Sequence, residues 1–440
     1  YYNSSTDKMK KILTFIVLAG IVFGGAYYVK RNKKPEVKPI VYKTSFESDE
    51  YVRFGMEVYD SILKNYWAPH SQYDLSNFFK LGVEKVSGKS YTLSSTTREA
   101  TAEMLSLAIS SATSTEAKKN FALNTAIVVL YNLQPLGRNG ILSTQQETQL
   151  RQTVANIDTS KNLYQNLDLE KGATPEQVVK AYEKKDEELK KATTTEAKAK
   201  REEIAYVKKV LTNPQSKSLY DQAGIEPTIF SHKIGDTLYL YISKISPTTF
   251  GEFAYAIDSA SSTKKLNSMI IDFRGNVGGS LDFLQNFLGL FVGPNQYAFD
   301  LFHQGDYQVQ RTVQPKFPLL GRYKEIAIIT DNMTQSTAEL TAATFKRLNL
   351  AKVVGTNTRG WGTVENTYPL ETVIDPNVKY TLLLVNSVTL RDDNQSIEGM
   401  GVDPNIRTTE KNWKTQLAET FNTSSLIEAL KKTAGVAPLK

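Results

Sequence analysis

A serine at the start of a predicted helix is the residue in this sequence best placed to act as a nucleophile. The apolar run at residues 326–329 predicts a buried strand, and apolar residues then recur at helical spacing over residues 340–348. Ser336 falls where this helix begins, beside unpaired backbone N–H groups and the positive end of the helix dipole. A hydroxyl group there suits a nucleophile that must stabilise an oxyanion. The structural alternative is an N-cap serine with Glu339 three residues later, which is a capping box.

A glycine turn at residues 272–279 (DFRGNVGG) is the second candidate. It ends a predicted buried strand at residues 269–273 and opens a predicted helix at residues 281–291. Gly278 and Gly279 permit backbone conformations closed to other residues, so an N–H group can turn towards a ligand oxygen. The alternative is a plain strand-to-helix turn. Because strands and helices alternate from residue 234 onwards, this part of the chain is predicted to be an α/β core.

Both stretches resemble motifs of the carboxyl-terminal processing (tail-specific) serine peptidases. Ser336-Thr337-Ala338-Glu339 matches the end of the family's Ser-Ala-Ser-Ala-Ser-Glu, and the glycine turn matches its Asp-Leu-Arg-Gly-Asn-x-Gly-Gly. Residues 395–406 (QSIEGMGVDPNI) match a third motif in the same order along the chain. The resemblance implies a ClpP/crotonase-like core, serine peptidase activity and an oxyanion hole built from the Gly278-Gly279 loop and the N–H group of Thr337.

The residue that would act as the base is replaced. Residues 360–365 (GWGTVE) match the family's Gly-Lys-Gly-Thr-Val-Gln without a gap, so Trp361 stands at the catalytic lysine and Glu365 at the glutamine. An indole N–H group donates a hydrogen bond but accepts no proton. We therefore expect Trp361 to cover Ser336 and to leave a weakly active or inactive peptidase. We also expect Trp361→Lys to raise cleavage.

The sequence offers other residues as candidates for the general base. Glu365 qualifies by its chemistry, and Lys346 or Lys352 would qualify if the fold brought either to Ser336, because a working serine needs a base within hydrogen-bond reach. A related branch of the superfamily uses histidine, but the histidines at positions 70, 232 and 303 match no such motif. They also lack metal-ligand spacing and the chain has no cysteine, so we expect no metal, no other cofactor and no disulfide.

The positive charge of the chain is concentrated near its N-terminus. The formal net charge is +7, but residues 1–40 alone contain eight basic and two acidic residues. This distribution argues against a nucleic-acid partner. The uncharged run at residues 12–29 would span about 27 Å as a helix and predicts a single membrane-spanning segment. A cleaved signal peptide is the alternative. Basic residues flank both ends of the run, and the family resemblance favours an extracytoplasmic body.

The helical stretch at residues 163–224 opens with Leu163-Tyr164, carries Lys180-Ala181-Tyr182 in its second helix and closes with Tyr220-Asp221-Gln222. With these residues it resembles a J-domain. The defining His-Pro-Asp of that family would fall at Lys190-Lys191-Ala192, so stimulation of a chaperone ATPase is not expected. The stretch occupies the place where related peptidases usually hold a PDZ module. One interpretation is a helical hairpin that docks a partner protein or a neighbouring domain. The alternative is a solvated spacer with charge pairs on its surface.

Five segments are predicted: a membrane anchor and tether (1–42), a helical lead domain (43–157), a J-domain-like module (158–226), the α/β core (227–415) and a C-terminal helix (416–440). We expect the last helix to pack on the lead helices. Three functions of different class remain: a membrane-anchored serine endopeptidase acting on loose polypeptide ends, a peptidase-like scaffold that binds such ends without cutting, and a structural membrane protein that works through the J-like hairpin.

Overall fold

The first half of the described chain is mainly helical, and strands alternate with helices after residue 228. The computed structural model describes residues 43–158, 160–263, 265–391 and 393–440. Its helices are α1 (Glu50–Asn65), α2 (Gln72–Ser87), α3 (Arg98–Ser110), α4 (Thr115–Asn132), α5 (Thr144–Val154), α6 (Pro175–Lys190), α7 (Thr195–Thr212), α8 (Pro214–Ala223), α9 (Thr249–Ala260), α10 (Asp282–Val292), α11 (Thr337–Arg347), α12 (Trp413–Thr420) and α13 (Ser424–Thr433). Short 3-10 helices lie at Ser45–Ser48, Gln165–Leu167 and Pro318–Arg322.

Eleven strands within these ranges form two sheets. The strands are β1 (Gly140–Ser143), β2 (Ile229–Ile234), β3 (Thr237–Ile242), β4 (Ser268–Asp272), β5 (Tyr297–His303), β6 (Asp306–Arg311), β7 (Glu325–Thr330), β8 (Lys352–Gly355), β9 (Thr363–Pro369), β10 (Tyr380–Thr389) and β11 (Ile406–Arg407). The six-stranded sheet has the order β11-β8-β7-β4-β3-β2, in which only the β2–β3 pair is antiparallel. The five-stranded sheet has the order β1-β10-β5-β6, with β9 paired to β10.

The six-stranded sheet is covered on both faces, as near-continuous apolar parallel strands require. Alternate residues of β3 face opposite ways: Leu238 and Leu240 join a core with α9, α10 and α11, whereas Tyr239 lies on the other face. The predicted α/β core is confirmed. Parallel strands bring their carboxyl ends to one edge of the sheet, so the loops after β4 and β7 emerge side by side.

The C-terminal tail corrects one expectation. It forms two helices, α12 and α13, and these pack on the six-stranded sheet instead of on the lead helices. Leu417, Phe421, Leu426 and Leu430 cover the face that carries Tyr239, Tyr241 and Ile270. Burial of that second sheet face explains the location, because otherwise its apolar side chains would meet water.

The lead helices build their core together with the five-stranded sheet. Side chains of α1, such as Phe54 and Ile62, share one apolar cluster with Leu382 and Leu384 of β10. The strand β1, which follows α4, pairs with β10 in antiparallel register. The lead helices and the later sheet are therefore one packed unit, and the domain limits given above stay predictions.

Residues 163–223 form a helical module with its own small core. Leu163, Tyr164, Val178 and Ile204 are buried within it. The helix α6 begins with a capping box, in which Thr174 and Gln177 exchange hydrogen bonds. Pro175 is its first helical residue, a position that proline favours. The two longest helices of the module, α6 and α7, follow each other along the chain. The relationship to J-domains stays a prediction.

The predicted membrane segment at residues 12–29 lies outside the described residues. Among residues 43–158, 160–263, 265–391 and 393–440, no helix combines the length and the apolar character needed to cross a bilayer. The same ranges contain no cluster of three or more metal-ligating side chains.

Candidate active site

Ser336 occupies the turn between β7 and α11, where the chain changes direction sharply. Its backbone has φ of 54° and ψ of −127°, a conformation that non-glycine residues rarely adopt. The side-chain hydroxyl of Thr334 donates to the carbonyl of Phe273 at 3.0 Å, which fastens this turn to the end of β4. Strained conformations of this kind persist where the surrounding structure fixes them, and they cluster at functional sites.

The glycine loop after β4 lies directly against Ser336. Gly278 has φ of 83°, and a Cβ atom placed on it would be 2.7 Å from the Cβ of Ser336 and 3.0 Å from the backbone nitrogen of Thr337. Thr337 Oγ1 donates to the carbonyl oxygen of Gly279 at 2.7 Å. The structure therefore brings together four of the predicted site residues: Ser336, Thr337, Gly278 and Gly279. Only a glycine permits this approach.

Two backbone N–H groups at this junction are available to a ligand. The N–H of Gly278 is not one of them, because it donates to Asn276 Oδ1 at 2.8 Å. Within the described ranges, the N–H groups of Gly279 and Thr337 make no hydrogen bond. Asn276 fixes the loop by donating from Nδ2 to the carbonyl of Ile242 at 2.8 Å. A pair of donors beside a serine is the arrangement that stabilises an oxyanion in acyl transfer.

Glu339 ties the start of α11 to the loop at residues 358–361. Its buried carboxylate accepts hydrogen bonds from the N–H groups of Ser336 and Trp361, both at 2.8 Å, on one oxygen. The other oxygen accepts from the N–H of Gly360 at 2.7 Å and the hydroxyl of Thr358 at 2.5 Å. Burial raises the pKa of Glu339, and the four hydrogen bonds oppose that shift. The carboxylate half of the predicted capping box thus also positions the next loop.

Trp361 is held by its ring face and by its indole nitrogen. The guanidinium carbon of Arg138 lies 3.3 Å from the ring centroid, and Nε1 donates to Glu365 Oε1 at 3.1 Å. Arg138 in turn donates to Glu398 Oε1 at 2.7 Å, and Glu398 Oε2 accepts from the N–H of Gly362 at 2.8 Å. The backbone nitrogens of Trp361 and Ser336 each lie 2.8 Å from the same Glu339 oxygen, so they are at most twice that distance apart.

Glu365 is engaged by its neighbours. Besides the indole, its Oε1 accepts from the hydroxyl of Thr363 at 2.5 Å. Burial raises the pKa of Glu365, and the hydrogen bonds and the nearby Arg138 guanidinium pull it back. The site therefore gives Glu365 a defined contact with the residue that replaces the lysine.

The fold does not bring the two alternative lysines to Ser336. Lys346 lies in the last turn of α11, where Nζ donates to the carbonyl of Asp403 at 3.1 Å. Lys352 begins β8 and donates to Asn349 Oδ1 at 2.7 Å. Within the described part of the chain, Ser336 Oγ makes no hydrogen bond to a lysine, histidine or carboxylate side chain. A general base in contact with the serine is thus missing from these residues.

The three histidines also lie elsewhere. His70 stacks on Tyr66, with ring centroids 5.2 Å apart. His232 Nε2 lies 3.1 Å from Lys209 Nζ, and His303 Nδ1 lies 2.6 Å from the carbonyl oxygen of Asn386. Each ring therefore contacts residues outside the turn that presents Ser336.

Sequence reasoning missed three residues that shape the site. Asn276 lies in the glycine turn at residues 272–279, and Glu398 lies in the motif at residues 395–406. Their positions inside these motifs were a signal that could have indicated a role in the site. Arg138 lies in the turn between α4 and β1, and no local pattern marks it. The motif residue Arg274 serves the fold instead: it pairs with Asp272 and donates to the carbonyls of Thr433 and Val436 in the tail.

Comparison with known proteins agrees with this geometry. Residues 236–408 match "Peptidase family S41". The chain is 29% identical over 185 residues to the carboxy-terminal processing protease CtpB of Bacillus subtilis (strain 168), covering 41% of this chain and 35% of that protein. It is 26% identical over 175 residues to a carboxy-terminal-processing protease of Bartonella bacilliformis (strain ATCC 35685 / KC583 / Herrer 020/F12,63), covering 39% of this chain and 38% of that protein.

The chain thus spans between a third and two fifths of the length of these curated relatives. A solved photosystem II D1 C-terminal processing protease superimposes with a TM-score of 0.48 and 9% identity, covering 81% of this chain and 92% of that one. The matched motifs and the family match coincide in one α/β region. Residues 236–408 are thus similar to peptidase family S41, with C-terminal processing proteases among the similar proteins, and we call them the S41-type core.

Proposed function

We propose that this protein engages unstructured or carboxyl-terminal polypeptide segments at the Ser336 site and cleaves them weakly or not at all. The relatives whose names describe carboxy-terminal processing support this class of ligand. The free N–H groups of Gly279 and Thr337 would receive a peptide carbonyl oxygen. The roles of Ser336, Thr337, Gly278 and Gly279 in this binding are part of the proposal.

One observation supports the loss of cleavage. The indole of Trp361 donates to Glu365, so a hydrogen-bond donor occupies the position at which related peptidases have their lysine base. The serine hydroxyl then has no group to take its proton. General-base help typically accounts for about 10² to 10⁴-fold of the rate of such a reaction. Binding does not need a base, so it is retained.

The experiment measures binding and cleavage of the same ligand. A fluorescent unstructured peptide with a free carboxyl end is titrated with wild-type protein, and mass spectrometry follows its integrity. We expect saturable binding that Gly278→Ala weakens, with cleavage at most marginal and absent in Ser336→Ala. A matched control is Gly435→Ala, in the tail and with more space around the new methyl group. Absence of binding would refute the proposal.

A second candidate is a non-catalytic scaffold that binds a partner protein through the J-like module. One feature favours it: the module has its own core, and Tyr206 and Lys209 of α7 contact Phe230 and His232 of β2, at the edge of the six-stranded sheet. Partner capture by the isolated segment 158–226, lost when its exposed helix residues are replaced, would support this function. If partner capture instead needs residues 236–408, the scaffold function is wrong.

We further propose that residues 12–29 attach the protein to a membrane and that the body lies outside the cytoplasm. The uncharged run and its basic flanks support attachment. Protease accessibility of the body in intact cells tests the side. Protection of residues 46–440 from added protease would contradict the extracytoplasmic location.

A further inference from the structure

Arg138 reaches the candidate site from outside the S41-type core. It lies in the turn between α4 and β1, more than 200 residues before Trp361. Its side chain is 13% exposed and that of its ion-pair partner Glu398 is 17% exposed. The stack of the guanidinium on the indole is therefore largely removed from water, which strengthens a cation–π contact.

The guanidinium of Arg138 contacts both a carboxylate and the ring of Trp361. Arg138 Nη2 donates to Glu398, but Nη1 is buried and has no hydrogen-bond partner within the described residues. Leaving a buried donor unpaired is unfavourable unless another contact compensates. The face of Trp361 lies 3.3 Å from the guanidinium carbon, so the ring is the other contact of this group. Arg138 therefore acts on Trp361 as well as on Glu398.

The turn that presents Arg138 is fixed independently of the arginine side chain. The carbonyl of Gln134 accepts hydrogen bonds from the hydroxyl of Tyr66 and from Nε1 of Trp67. Asn139 Oδ1 accepts from the N–H of Val385 at 2.8 Å. Removal of the guanidinium would thus release the indole without releasing the backbone of the turn.

We propose that Arg138 is a positioning residue that acts through Trp361 and limits the access of polypeptide to the Ser336 site. Glu339 fixes the backbone of Trp361 beside Ser336, and the indole is then held between Arg138 and Glu365. Without Arg138, one face of the ring loses its contact, and the indole moves away from its position beside Ser336 more often. That the ligand is polypeptide rests on the proposed function. The pair of contacts that holds the indole between Arg138 and Glu365, called the clamp below, does not.

The test follows Trp361 directly in the full-length chain in detergent. The sequence contains three tryptophans, so labelling with 5-fluorotryptophan gives three ¹⁹F signals, and Trp361→Phe assigns one of them. A soluble nitroxide then reports exposure through broadening. In Arg138→Ala we expect the population in which the Trp361 ring is released to solvent to rise about 30-fold, as the strength of a desolvated cation–π contact implies. Trp413 in the tail should not change.

Further variants separate charge from bulk. Arg138→Met keeps length without charge and should open the clamp like alanine, whereas Arg138→Lys keeps a cation and should restore part of the protection. The matched control is Arg151→Ala, which removes an exposed arginine that pairs with Glu147 on α5. Unchanged Trp361 broadening in both Arg138→Ala and Arg138→Met would overturn the clamp.

Peptide binding in the same variants tests the function separately. If Trp361 becomes exposed and peptide affinity rises in Arg138→Ala, both the clamp and the proposed function are supported. If Trp361 becomes exposed but no peptide binds to wild type or variant, the clamp stands and the proposed function fails. If peptide affinity rises with no change at Trp361, the clamp is wrong.

Discussion

Replacement of Trp361 by lysine alone should not restore a peptidase. The structure places Glu365 Oε1 3.1 Å from the indole nitrogen, so an ammonium group at that point would form an ion pair. An opposite charge at such a distance raises the pKa of a lysine by about 1 to 3 units. The neutral fraction that serves as a base would then fall by about 10- to 1,000-fold from the already small value set by a pKa of about 10.4.

The double variant Trp361→Lys/Glu365→Gln should behave differently. Glutamine still accepts a hydrogen bond from the lysine but carries no charge, and the guanidinium of Arg138 disfavours a second cation nearby. We therefore expect cleavage at least about 10-fold faster than in the single variant, from the pKa difference alone. This amends the expectation from the sequence, which considered the lysine without its neighbour.

The assay is cleavage of a fluorogenic unstructured peptide between pH 6 and pH 10, followed by mass spectrometry of the products. Ser336→Ala in the double-variant background is the control and should remove the gained activity. Glu365→Gln alone should remain inactive, because it leaves the indole in place. Equal rates for the single and double variants over the whole pH range would refute the reasoning about Glu365.

Four further results are expected. Gly278→Ala should lower the free energy of unfolding by about 1 to 3 kcal/mol, because its Cβ would meet Ser336 at a positive φ; chemical denaturation measures this, and an unchanged midpoint would contradict the close approach. Since burial raises the pKa of Glu365, acidification should weaken its bond to the indole, with a midpoint above the ordinary 4.5 in a ¹⁹F titration of Trp361; a midpoint below 4.5 would show that the bonds outweigh burial. Removal of residues 1–30 should leave a protein that stays in the aqueous phase of a detergent partition, and membrane binding without a partner would mean that a second anchor exists. The isolated segment 163–224 should not stimulate a chaperone ATPase, since Lys190-Lys191-Ala192 lacks the imidazole and carboxylate of His-Pro-Asp; clear stimulation would contradict this.

Local patterns in the sequence predicted most of the S41-type core. The apolar run at residues 326–329 is β7, the helix after it is α11, and the glycine turn lies between β4 and α10. Parallel pairing of β4 and β7 then forces the two turns to meet, so the convergence of Ser336 with Gly278 followed from strand order. These features depend on residues close in the chain or on the connection between neighbouring strands.

Contacts between distant segments were not predictable in the same way. Nothing around position 138 indicates that its guanidinium stacks on Trp361, because the two residues meet only through the pairing of β1 with β10 and of β10 with β9. The location of α12 and α13 was also missed, since an amphipathic helix does not specify which apolar surface it covers. Both outcomes depend on how sheets are assembled over the whole chain.

The most direct test of the account is labelling of Ser336 by a fluorophosphonate probe in wild-type protein. A serine with an oxyanion hole but without a base should react no faster than background, so we predict the same trace of labelling in wild type and in Ser336→Ala. The probe should label the double variant Trp361→Lys/Glu365→Gln at Ser336. Rapid, stoichiometric labelling of Ser336 in the wild type would contradict the account, because it would require a base that contacts the serine hydroxyl.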